Sequence, residues 1–149
     1  MARLIGGKKS LIKLAMVVTI VLATSLAMPS ISEASASGWT FWGGFSVNVG
    51  NQSIGIPQGN LYHQIDGKGT YIEADYANFF IYGNLCDTQV IFTYGNRSRI
   101  LLGSKHSGCS MSGKWGYYIR QNVPKGEACA ELWAKDQLVL VAKQCHYVY

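Results

Sequence analysis

Apolar and polar residues alternate in short runs along most of the chain, and glycine or asparagine separates the runs. GFSVNVG (44–50), TYIEAD (70–75), NFFIYG (78–83), QVIFTYG (89–95) and SRILLG (98–103) each have the length and the β-branched or aromatic content of a strand. In KWGYYIRQNV (114–123) the period of two is plain. Trp115, Tyr117, Ile119 and Val123 share one face, while Lys114, Tyr118, Arg120 and Asn122 share the other. No stretch beyond residue 36 shows a helical period of useful length. The pattern predicts an all-β fold, a small antiparallel sandwich or barrel. With no repeat, low-complexity tract or linker in it, residues 37–149 are expected to form one domain.

CAELWAKDQLVLVAKQC (129–145) reads as a hairpin with a cysteine at each end. Opposed positions in an antiparallel pair keep a constant sum. Pairing Cys129 with Cys145 therefore places Glu131 opposite Lys143 and Trp133 opposite Val141, with the turn centred on Gln137. Leu132, Ala134, Leu140 and Ala142 then fall together on the other face. Cys86 and Cys109 bracket a second hairpin whose turn lies near Asn96. The predicted disulfides are thus Cys86–Cys109 and Cys129–Cys145, staples suited to a small domain that must endure outside the cell. The cysteines contain no C-x-x-C, and His63, His106 and His146 lack metal-ligand spacing. No metal or other cofactor is expected.

The first 36 residues differ in kind. Arg3, Lys8, Lys9 and Lys13 form a basic start, LAMVVTIVLATSLAM (14–28) an apolar middle, and Ala34-Ser35-Ala36 a small-residue cleavage site. That order predicts a signal peptide over 1–36 and a secreted, extracellular product beginning at Ser37. The apolar run is short of the ~20 residues that span a bilayer, so no transmembrane anchor is expected.

Export also changes the charge. The whole chain carries 13 Lys and Arg against 8 Asp and Glu. Four of the basic residues and Glu33 belong to the leader, which leaves a small positive excess. Its distribution is uneven. No acidic residue lies between Asp87 and Glu127, whereas Arg97, Arg99, Lys105, Lys114, Arg120 and Lys125 all do. A one-signed block favours an anionic partner such as an envelope polymer, with nucleic acid the less favoured choice. Arg97, Arg99, Lys105, Lys114, Tyr118 and Arg120 are the candidate binding residues, Tyr118 lying between two cations. SGWTFWGGF (37–45) concentrates Trp39, Phe41, Trp42 and Phe45. These rings could grip a ligand or a membrane, but a core strand that bends at Gly43–Gly44 is the expectation.

Catalytic signatures are sparse. GCSMSG (108–113) misses the nucleophile-elbow pattern, and there is no H-E-x-x-H, P-loop or dinucleotide fingerprint. TYIEADY (70–76) followed by NRSRILL (96–102) resembles the small secreted guanyl-preferring ribonucleases of bacteria. The resemblance implies Glu73 as general base, Arg99 as phosphate clamp and His106 as general acid. The chain departs from that family in the longer interval between glutamate and arginine, in a histidine that follows too closely, and in lacking the helical N-terminal part. The leading expectation is a secreted, disulfide-stabilised binding protein, antimicrobial or inhibitory, that recognises an anionic polymer or an extracellular protein. A secreted ribonuclease is the alternative, and a structural component of the envelope or matrix the third reading.

Overall fold

The structure, a computed structural model, describes residues 35–149. The signal segment predicted over 1–36 lies almost wholly outside the described residues. Nine strands follow in order: β1 (Ala36–Trp42), β2 (Phe45–Val49), β3 (Gln52–Ile56), β4 (Gly59–Lys68), β5 (Tyr71–Tyr94), β6 (Arg99–Leu102), β7 (His106–Asn122), β8 (Gly126–Ala134) and β9 (Val139–Val148). There is no helix among the described residues.

β5 organises the sheet. It joins three runs that alternation alone separates, 70–75, 78–83 and 89–95, into one strand of 24 residues. Gly83 bends this strand rather than ending it. Its φ of 150° falls within the irregular stretch between Phe80 and Leu85, and a Cβ there would meet the Pro57 ring at 3.0 Å. The N-terminal half of β5 pairs with β4 on one edge and β7 on the other. Its C-terminal half pairs with β8 and β6. β1 extends β4 and β9 extends β8, giving the order β1-β4-β5-β8-β9, while β2 and β3 form a separate hairpin.

The bent sheet is a nearly closed antiparallel barrel. At the seam, Thr40 Oγ1 on β1 donates to the Lys143 carbonyl on β9 at 3.0 Å. His146 Nε2 on β9 donates to the His63 carbonyl on β4 at 3.2 Å. Leu61 and Ile65 from β4, Ile72, Phe79, Ile81 and Phe92 from β5, and Leu132 from β8 fill the interior. Each such side chain contributes about 1.5–3 kcal/mol on leaving water.

Both disulfides form as predicted, and each joins residues directly opposed in the ladder: Cys86–Cys109 across β5 and β7, and Cys129–Cys145 across β8 and β9. Glu131 faces Lys143, but Trp133 faces Leu140 and not Val141. A bulge between Leu132 and Trp133 shifts the register beside a turn in which Lys135, Asp136 and Gln137 all have positive φ. The shift turns Val139 inward and leaves Leu140 exposed, although the uncorrected register places Leu140 in the core.

Candidate binding face

The outer side of β1, β4, β5 and β7 is a grid whose rows follow the ladder register. One row runs Phe41, Asn60, Phe80, Ser112. The next runs Trp39, Tyr62, Asn78, Lys114, and the third Ser37, Gln64, Tyr76, Gly116. Directly opposed residues point to the same side of a sheet, so rings alternate with amides and hydroxyls over four strands. Phe41 is 73% exposed and Trp39 52%. Trp39 lies 4.7 Å from the Tyr62 ring and 6.3 Å from Phe41, centre to centre. Phe80 meets Tyr82 edge-on at 5.5 Å. The N-terminal aromatic segment therefore does form a strand, as expected, but only Trp42 of β1 packs toward the core. Its indole donates to the Pro57 carbonyl at 2.7 Å.

The polar members are partly pre-set. The Tyr62 hydroxyl donates to Gln64 Oε1 at 2.8 Å, and Gln64 Nε2 donates to Asp66 Oδ1 at 2.9 Å. Along β7, Arg120 lies over the Tyr118 ring at 5.0 Å and donates to Glu73 Oε1 at 3.0 Å. A hydrogen bond with Tyr118, followed by partial burial, holds the Tyr76 phenol above its ordinary value, so it stays protonated. Lys114 is exposed and makes no ion pair among the described residues.

The six binding candidates divide. Lys114, Tyr118 and Arg120 lie together on the outer side of β7, where alternation puts them. Arg97 is in the β5–β6 turn with φ of 70°, so strand alternation with Arg99 does not apply. It bends back to Glu131, whose carboxylate is fully buried, at 2.6 and 2.8 Å. Arg99 is half-buried opposite Tyr94. Lys105 pairs with Asp136, which raises the lysine's affinity for its proton.

Of the residues implied by the ribonuclease resemblance, Glu73 is held by Arg120 and by the Tyr71 hydroxyl. His106 stacks on Trp115 at 4.4 Å. Among the described residues no hydrogen bond or ion pair joins Glu73, Arg99 and His106 to one another. A hollow of about 450 Å³ beside the β2–β3 hairpin, between Ile54, Leu85, Lys135 and Leu138, is lined by no carboxylate or imidazole among the described residues.

The acid and imidazole that do meet are inside the barrel. His63 Nε2 lies 2.8 Å from Asp75 Oδ1, and the Tyr94 hydroxyl donates to Asp75 Oδ2 at 2.7 Å. Burial, reinforced by the Asp75 carboxylate, pushes the Tyr94 phenol far above its usual range, so it remains a donor. His63 and Asp75 are both 0% exposed. No substrate reaches them in this conformation, and they pin β4 to both halves of β5. His63 Nδ1 is buried and has no hydrogen-bond partner among the described residues.

Sequence reading missed Tyr62, Tyr76, Asn78 and Phe80 as members of one face. The signal was present in GNLYHQID, where Tyr62, Gln64 and Asp66 alternate with Leu61, His63 and Ile65. A histidine and a glycine on the inward side obscured the apolar period. Comparison of the chain with protein-family models, curated proteins and solved structures finds no match.

Proposed function

We propose that this chain is an exported, non-catalytic binding protein that recognises an anionic extracellular polymer, with an antimicrobial or inhibitory outcome. The observation that carries the reading is the exposed aromatic grid with Lys114, Tyr118 and Arg120 along its β7 side. Soluble proteins rarely leave this many large rings on one continuous surface without a use for them. Cations beside rings supply charge and contact area together. Two disulfides on a nearly closed sheet hold the face rigid, which lowers the ordering cost of binding. The two disulfides, and the lack of any long apolar helix among the described residues, are compatible with an extracellular location.

The test is binding to soluble anionic polymers across a salt series, with the Lys114→Glu/Arg120→Glu double variant alongside and circular dichroism as the folding control. Binding that weakens with salt and is lost in the folded double variant is the expected result. Salt-independent binding, or a double variant that binds as well as the native protein, refutes the reading.

A further inference from the structure

We infer that the outer face of β1, β4, β5 and β7 is a platform for a pyranose polysaccharide bearing sparse carboxylates. This deepens the anionic-polymer reading and rests on it. A pyranose presents two kinds of surface. Its ring faces expose C–H groups that lie against aromatic rings, while its rim carries hydroxyls that planar amides engage. The grid offers both in alternation, at the ~4.8 Å strand spacing and over a span of roughly 14 Å across four strands. That extent fits an oligosaccharide segment better than a single sugar.

The row Trp39, Tyr62, Asn78, Lys114 sets two rings, an amide and a free cation in sequence. The row beside it sets ring, amide, ring and hydroxyl: Phe41, Asn60, Phe80, Ser112. The Tyr62–Gln64–Asp66 hydrogen bonds fix the side chains of the central strand in advance.

The same alternation argues against other occupants. Pressing this face into lipid, or onto an apolar partner, would strip water from the Asn78 amide at a cost of about 1–3 kcal/mol if left unpaired, and would bury the Lys114 ammonium and the Asp66 carboxylate as well. A nucleic acid could stack on the rings, but it brings a phosphate with every nucleotide. Here Arg120 is already committed to Glu73, which leaves Lys114 as the unpaired cation on the described grid. One free cation at the end of a neutral row matches a polymer whose charges are widely spaced.

The experiment is affinity electrophoresis of the disulfide-bonded protein in gels containing sparsely substituted carboxymethylcellulose, hydroxyethylcellulose, polyphosphate or poly(U). Trp39→Ala, Phe41→Ala and Lys114→Gln are run in parallel, each checked by near-UV circular dichroism. Phe41→Ala carries the ring test should Trp39→Ala fold poorly. Retardation by the carboxymethylcellulose that falls about tenfold in either ring variant is the expected result. Lys114→Gln should weaken the carboxymethylcellulose interaction and leave any hydroxyethylcellulose interaction unchanged. Polyphosphate binding that is indifferent to the ring variants, with the carboxymethylcellulose unbound, overturns the saccharide platform and leaves the anionic-polymer reading standing. Ring-dependent binding of poly(U) alone overturns the saccharide class. Failure to bind any of the three anionic polymers overturns both readings.

Discussion

Arg97 and Glu131 close the turn between β5 and β6 onto the β8 strand. Arg97 Nη1 donates to both oxygens of a carboxylate that has no exposed surface, at 2.6 and 2.8 Å. Lys143, 3.7 Å away, and the Trp133 indole, 3.3 Å away, supply the rest of its environment. A carboxylate this deep depends on its donors, because an unpaired buried charge is costly. Arg97→Ala is therefore expected to destabilise the fold by about 2–3 kcal/mol, the cost of removing a charge-assisted bond from a buried acceptor. Adding Glu131→Gln should recover part of that loss. Urea denaturation of the single and double variants measures both.

The two disulfides make a second expectation. Non-reducing peptide mapping should recover fragments joining segment 86 to 109 and segment 129 to 145, and no crossed pair. Replacing either pair with alanines is expected to cost about 3 kcal/mol on the chain-entropy model, since the bridges close loops of 23 and 16 residues. Denaturant midpoints of the two variants report it.

Acid should weaken the seam between β9 and β4. Burial, and then the neighbouring His63, lower the proton affinity of His146, while the unfolded chain keeps an ordinary imidazole of about 6.5. The unfolded state thus binds more protons over the window just below that value. The stability from this group is complete above the ordinary histidine value and is lost as pH falls through it toward the lower folded one. Thermal melts between pH 8 and 5 should show the decline. His146→Gln, which can still donate to the His63 carbonyl, should flatten it.

A fourth expectation concerns processing. N-terminal sequencing of the exported protein should begin at Ser37. Retention of the full-length chain in a membrane fraction would show that the apolar segment serves as an anchor.

Much of this architecture is written locally. Period-two alternation at Lys114–Val123 assigned both faces of β7, because one side of that strand meets the core and the other meets water. Antiparallel arithmetic paired Cys129 with Cys145, because opposed residues obey a rule that needs no knowledge of the rest of the fold, and Cys86 and Cys109 were the pair that remained. The all-β class followed from the absence of helical period and the abundance of β-branched and aromatic residues.

What tertiary structure decided lies where a local signal is ambiguous or is overridden. Gly83 looks like the end of a strand, yet β5 passes through it, since a glycine can mark either a stop or a bend and only packing against Pro57 chooses. The bulge at Leu132/Trp133 reversed the side on which Leu140 lies, and a register shift of one residue is invisible to a two-residue period. Asp75, two residues from the glutamate that the sequence pattern singled out, went into the barrel to meet His63 and Tyr94 from distant positions. Trp39 and Tyr62, 23 positions apart, became neighbours because β1 adds to the edge of β4. Each strand's own sequence specifies which residues share a side; only pairing among strands specifies which of those sides assemble into one surface.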